Sequence, residues 1–209
     1  MSRKVLVDFT RRCASLGLNH GSTGNLSVRS SSGFLITPSG IPADQLDEGT
    51  MVELAPDGAP RGPGKPSSEW RLHAAIYAAR ADAHAIVHTH PPFSTTIACL
   101  RQDIPPVHYM IAITGGRRVR CSAYATFGTE ELSAAAVEAL GESRACLLAN
   151  HGLVTIGPDL ETAVGIAVEV ETVAEYWWRA KAAGEPVILS EGEMKAAVEQ
   201  FKDYGPRSP

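Results

Sequence analysis

The sequence predicts one α/β domain in which strands cluster centrally and helices surround them. Three observations carry that expectation. The 209 residues suit a single core of this class, since chains tend to divide only beyond roughly 250 residues. Short apolar runs of strand length alternate with stretches of helical spacing. The composition, 44% apolar and 20% charged, matches ordinary globular domains and can fill a substantial core. The expected domain spans residues 1–209.

Each element follows from local chemistry. From Lys4 to Leu16, residues Val5, Leu6, Phe9, Cys13 and Leu16 share one helical face, and Gly17 supplies a left-handed stop. Asn25–Arg29 and Phe34–Thr37 flank a polar Ser-Ser-Ser-Gly turn and read as a hairpin. Met51–Leu54 is a strand ended by Pro56-Asp57-Gly58. A helix is expected over Lys65–Ala79, entered through Pro66 with Ser67 as its N-cap.

The apolar run Ala85–His90 is a strand that Pro91-Pro92 terminates, and Ser94–Leu100 restarts as a helix. Val119–Ala123 is a short strand, and Thr129 caps a helix ending near Leu140. Cys146–Asn150 and Leu153–Ile156 are strands joined around His151-Gly152. A long helix over Leu160–Ala183 closes at Gly184. The capping box Ser190-Glu191-Gly192-Glu193 opens a last helix reaching about Lys202.

Charge and cysteine usage exclude several classes. A net charge of -4 provides no basic field for nucleic acid, and Lys/Arg do not cluster with aromatics. Asp8, Arg11 and Arg12 interrupt the first apolar stretch, so neither a signal peptide nor a membrane-spanning helix fits there. A cytoplasmic protein without membrane partners is expected. Cys13, Cys99, Cys121 and Cys146 form no C-x-x-C pair, which disfavours a zinc ribbon or redox motif and suggests reduced, mostly buried thiols.

The histidines carry the chemistry. An extended strand sends residues i and i+2 to one face, so His88 and His90 can grip one ion together. His151, after another apolar run, could supply a third nitrogen to a metal that keeps one position open. His73 follows Glu69 by four residues, a spacing compatible with ligation but more often an ordinary helical contact. Ser67 and Ser68 at a helix entry, and the small polar segments Ser22–Asn25 and Thr37–Gly40, offer hydroxyls and backbone amides of the kind that hold a phosphate.

Five segments recur in order and spacing: Gly24-Asn25-Leu26-Ser27, Thr37-Pro38-Ser39-Gly40, Pro66-Ser67-Ser68-Glu69, His88-Thr89-His90 and Asn150-His151-Gly152. Together they resemble the class II aldolase/adducin family over nearly the whole chain. The segments His108–Ala112, Tyr124–Thr129 and Phe201–Gly205 resemble the branch of that family that cleaves L-fuculose 1-phosphate. The resemblance implies a three-layer α-β-α fold around a central, mainly antiparallel sheet, and a homotetramer of fourfold symmetry with zinc sites near subunit interfaces.

The resemblance also implies roles. His88, His90 and His151 would hold one Zn2+ per subunit, joined by Glu69, the expected catalytic carboxylate. Gly24, Asn25, Ser39, Gly40, Ser67 and Ser68 match phosphate-binding positions. Tyr109 and Tyr204 match tyrosines that assist proton transfer, and Phe127 matches the apolar wall beside the aldehyde. The expected reaction is reversible cleavage of L-fuculose 1-phosphate, or a similar ketose 1-phosphate, to dihydroxyacetone phosphate and L-lactaldehyde or another aldehyde.

Related activities stay open. Aldolases acting on 5-deoxyribulose or methylthioribulose 1-phosphate share the metal, the phosphate grip and Glu69, and a methylthioribulose-1-phosphate dehydratase uses a similar cradle. Glu69 argues against the pentulose-phosphate epimerases, which place Asp there. A non-catalytic, adducin-like interaction domain would be expected to lose the ligands that are present here. Ser22 and Ser39 stand where the closest pattern has threonine.

Overall fold

In the computed structural model, which describes residues 2–201, the chain opens with α1 (Arg3–Ser15), capped by the Ser2 hydroxyl. The hairpin β1 (Asn25–Ser30) and β2 (Gly33–Ile36) follows, then β3 (Val52–Leu54), α2 (Trp70–Ala79), β4 (Ala85–Thr89) and α3 (Pro92–Cys99). β5 (Arg120–Cys121), α4 (Glu130–Leu140), β6 (Ala145–Leu148), β7 (Gly152–Gly157), α5 (Leu160–Ala183) and α6 (Glu191–Phe201) complete it.

The seven strands form one sheet in the order β3-β2-β1-β4-β7-β6-β5. Every pairing is antiparallel except β5 with β6, which is parallel, so the sheet is mixed. Alternation sends Leu26, Val28, Val87 and Leu153 to one face, where they pack with α1, α3 and α5. Phe34, Ile36, Ile86, Val154 and Ile156 go to the other face, against Leu72 and Ile76 of α2 and Leu132 and Ala136 of α4. These are the three layers expected, with β4 near the middle of the sheet.

The long helix, the Thr129 cap and the Ser190–Glu193 capping box appear where the sequence places them. The largest boundary difference is at α2. The helix expected from Lys65 begins at Trp70, with Glu69 at its N-cap position and no side-chain cap. The cause is pairing: Ser67 N donates to the Thr37 carbonyl and Ser39 N to the Lys65 carbonyl, both at 3.0 Å. Residues 65–67 are therefore committed to an extended bridge, and Ser67 is not the cap.

Cys13 and Cys146 are buried, Cys121 is half-buried and Cys99 is exposed, and all four are free thiols. Among the described residues, no helix is long and apolar enough to cross a membrane.

Candidate metal centre and its pocket

His88 lies on β4, where Asn25 of β1 is its register partner. His90 follows one residue beyond the strand, and His151 sits in the turn between β6 and β7. That turn is sharp: Asn150 adopts φ of 55°, a left-handed conformation that asparagine tolerates better than most residues. Gly152 follows because a Cβ there would lie 2.5 Å from the Thr89 carbonyl oxygen and 2.8 Å from His90 Cδ2. The close approach of β7 to the end of β4 thus requires a glycine.

The three imidazoles meet edge to face, with centroids 4.8 Å apart for His88–His90, 4.8 Å for His88–His151 and 5.0 Å for His90–His151. Their ligating nitrogens all lie within 4.8 Å of one another. His88 is fully buried, and its Nδ1 donates to the Leu153 carbonyl at 3.0 Å. That bond fixes the tautomer and leaves Nε2 facing inward. His88 Nε2 then lies 3.0 Å from His90 Nε2 and 3.1 Å from Glu69 Oε2.

Glu69 is buried to 6% exposure, and its other oxygen, Oε1, accepts no hydrogen bond yet lies 3.4 Å from His151 Nε2. Burial would raise this carboxyl, but the charge and hydrogen bond of His88, with His151 and the Asn25 amide, outweigh it and hold Glu69 well below the usual carboxylate range. Burial penalises a charged His88, and Glu69 more than offsets this, so His88 sits above its ordinary value. Burial, then the positive charge on His88, push His90 down to about 3 and His151 to about 4.

One positive charge is therefore demanded between Glu69 and the imidazole nitrogens. A proton on His88 Nε2 meets the demand; so does a divalent cation. The donor set of three nitrogens beside an under-bonded buried carboxylate fits a zinc-type site.

A cavity of about 350 Å3 opens over this cluster, with Glu69, His90 and His151 on its wall. That is within the range of small-molecule pockets. Of the sequence's phosphate candidates, Gly24, Asn25, Ser39, Gly40, Ser67 and Ser68 all line it, brought together by the bridge between residues 37–39 and 65–67. Gly24 holds a left-handed φ of 71°, and a Cβ there would press on the Asn19 amide. Asn19 Oδ1 in turn accepts from the His90 backbone N–H at 3.0 Å.

Phe127 also lines the cavity, with Tyr124 and Ala125, and is 65% exposed. Tyr109 does not line the cavity; it is half-exposed in the 3-10 turn Tyr109–Thr114, with its ring 4.5 Å from that of His108. Tyr204 lies outside the described residues.

Asn25 also has partners that the sequence did not indicate. Its side chain turns into the core, where Oδ1 lies 2.6 Å from His73 Nε2 and Nδ2 donates to Glu69 Oε2 at 2.9 Å. The His73 ring reaches Asn25, while only its backbone N–H bonds Glu69, at the carbonyl at 3.5 Å, and its Nδ1 lies 2.6 Å from Ser27 Oγ, which is 2.8 Å from the Tyr77 hydroxyl. Sequence reasoning missed Ser27 and Tyr77. The signal was available: Asn25 and Ser27 share a strand face, and Glu69, His73 and Tyr77 recur at helical i, i+4 spacing.

Arg101 was also missed. It holds a left-handed φ of 53°, donates to Asn150 Oδ1 at 2.7 Å and lies over the Tyr124 ring at the cavity's edge.

The class II aldolase and adducin N-terminal domain model matches residues 4–178. A 5-methylthioribulose-1-phosphate/5-deoxyribulose-1-phosphate aldolase of Rhodospirillum rubrum is 51% identical over 97% of this chain and 92% of its own length. An L-fuculose phosphate aldolase of Escherichia coli is 43% identical over 98% of this chain and 95% of its own. A solved L-fuculose 1-phosphate aldolase superposes with a TM-score of 0.93 at 40% identity, covering 96% of this chain and 95% of that one.

Proposed function

The chain belongs to the class II aldolase/adducin family and is an enzyme of the aldolase type, and from that premise we propose that it is a zinc-dependent, cytoplasmic aldolase cleaving a deoxyketose 1-phosphate between C3 and C4. The products would be dihydroxyacetone phosphate and a short aldehyde. The observation that carries this reading is the carboxylate of Glu69 set between His88 Nε2 at 3.1 Å and His151 Nε2 at 3.4 Å, at the base of a polar pocket.

His88, His90 and His151 would hold one zinc per subunit, with Glu69 as a displaceable fourth ligand. When bound, the metal supplies a Lewis acid that polarises the C2 carbonyl and draws off charge as C3–C4 breaks. Glu69 would carry the proton to or from C3, a role suited to a buried carboxylate close to the reacting carbon. Ser39, Ser67, Ser68 and the backbone at Gly24 and Gly40 would anchor the phosphate, so that binding energy remote from the reacting bond positions the substrate. The remaining Asn25 N–H would join them.

Tyr124, Ala125 and Phe127 would receive the apolar end of the aldehyde. In a homotetramer, Tyr109 and Tyr204 would serve the proton on the C4 oxygen.

Two substrate readings differ only in the aldehyde half. The 51% identity to the Rhodospirillum rubrum aldolase favours 5-deoxyribulose 1-phosphate or its methylthio counterpart, and this is the reading preferred here. The Tyr109 and Phe127 segments and the 43% identity to the Escherichia coli aldolase support L-fuculose 1-phosphate. Side-by-side kcat/KM values, with dihydroxyacetone phosphate release coupled to its reduction, test the choice. A higher value for the 5-deoxypentulose supports the preferred reading; a higher value for L-fuculose 1-phosphate reassigns the substrate and keeps the reaction.

A further inference from the structure

Beneath the pocket, a file of polar side chains runs through an otherwise apolar layer. Tyr77, Ser27, His73 and Asn25 connect in sequence to Glu69 at distances of 2.8, 2.6, 2.6 and 2.9 Å. All five are buried. A core position normally favours apolar side chains, and each polar group placed there must find a partner.

The direction of every bond follows from one end. An ionised Glu69 only accepts, so Asn25 must present its amide nitrogen to it. Asn25 Oδ1 then faces His73 Nε2, which must carry a hydrogen. His73 is fully buried and its ring meets only the uncharged Asn25 and Ser27 side chains, so the neutral imidazole is the form this layer accommodates. With Nε2 protonated, Nδ1 is bare, so Ser27 donates to it. The Ser27 oxygen is left to accept from the Tyr77 hydroxyl.

We infer that Tyr77, Ser27 and His73 are positioning residues for the reaction, forming a one-directional hydrogen-bond relay that locks the Asn25 amide with its N–H toward Glu69 and so fixes the carboxylate beside the metal-binding histidines.

This rests on the assignment of Glu69 as the reacting carboxylate. Without the relay, the Asn25 amide could turn over and set its oxygen against the carboxylate, a repulsive contact in a low-dielectric site. The tautomer of His73 is the switch. Glu69 sets it through Asn25, and the Ser27 hydroxyl, accepting from Tyr77, stabilises it by donating to the bare Nδ1, although neither Ser27 nor Tyr77 lines the pocket.

Two independent readouts test this. The first is the 15N NMR spectrum of the imidazoles in the zinc-loaded protein, which reads the tautomer without any turnover. Wild type is expected to show His73 as the neutral Nε2–H form, and Ser27→Ala to show a mixture of both tautomers. A His73 bearing its proton on Nδ1 in wild type overturns the relay.

The second readout is kinetic. His73→Leu is expected to lower kcat by about 10- to 100-fold, the usual scale for groups that orient metal-site residues, with KM within about twofold and zinc content intact. His73→Gln keeps an N–H for Asn25 and is expected to recover most of that loss, and Tyr77→Phe to fall between wild type and Ser27→Ala. An unchanged kcat in His73→Leu, or equal losses in the Leu and Gln variants, overturns the inference.

Glu69→Gln run in parallel separates the two claims. If that variant keeps full activity, the role of Glu69 fails, while the tautomer measurement still decides whether the relay exists.

Discussion

His88 turns its two nitrogens to opposite tasks: Nδ1 donates to the Leu153 carbonyl at 3.0 Å, and Nε2 faces Glu69 Oε2 at 3.1 Å. A neutral imidazole held in this tautomer presents a lone pair to a carboxylate, an arrangement that only a bound cation or proton makes favourable. The geometry of this histidine cluster is thus written into the backbone pairing of β4 with β7, which places Leu153 opposite Thr89 and beside His88.

Glu69→Gln keeps size and shape but cannot carry a proton at C3. It is expected to retain zinc and to lower kcat by about 10²- to 10⁴-fold, the usual worth of a positioned general base. Metal analysis after dialysis, together with single-turnover rates, checks both halves. Loss of zinc with the activity would instead make Glu69 a ligand first.

Gly152→Ala is expected to fold but to bind zinc poorly. Its Cβ would collide with the Thr89 carbonyl and the edge of the His90 ring, and the strand end must shift at a cost of about 1–3 kcal/mol. The comparison to make is zinc affinity by chelator competition against wild type. Unaltered affinity would mean that the two strand ends can part without moving His90.

Glu171 of α5 accepts from the Phe93 and Ser94 backbone amides, both at 2.7 Å, and so anchors the start of α3 just after His90. Glu171→Ala is expected to lower stability by about 1.5–3 kcal/mol, the range for hydrogen bonds to a charged group. Glu171→Gln should lose less. Urea unfolding midpoints rank the three proteins, and an order with Gln below Ala would contradict the anchoring account.

Acid should weaken the fold through His73. Its value is pushed down to about 3 against an ordinary 6.5, so the unfolded chain takes up the proton first. The contribution is complete above about pH 6.5 and is lost as pH falls toward 3. Groups common to both proteins cancel when wild type is compared with His73→Gln. The variant is expected to lose thermal stability less steeply between pH 6.5 and 4.5, and parallel curves would sink the claim.

Most of the fold was legible because period and punctuation agreed. Thr129, Gly184 and the Ser190–Glu193 box mark helix ends by local chemistry alone, and the i, i+2 spacing of His88 and His90 anticipates the imidazole cluster they form with His151. The start of α2 was not legible, because a long-range bridge to residues 37–39 overrides the local helix signal of Pro66-Ser67. Asn25 was only half legible. Its glycine-flanked loop suggested a phosphate contact, whereas its pairing with Glu69 and His73 depends on β1 lying beside β4 and beneath α2, a tertiary fact. The contact of Arg101 with Asn150 was invisible for the same reason, since it spans two distant turns.

The most direct test of the central claim is dihydroxyacetone phosphate release from 5-deoxyribulose 1-phosphate by one preparation in three states: as zinc-loaded protein, after chelator dialysis, and after zinc is restored. The account predicts turnover in the first, its loss in the second at unchanged secondary structure, and recovery in the third. Equal turnover in all three states would contradict a metal-dependent retro-aldol reaction at His88, His90, His151 and Glu69.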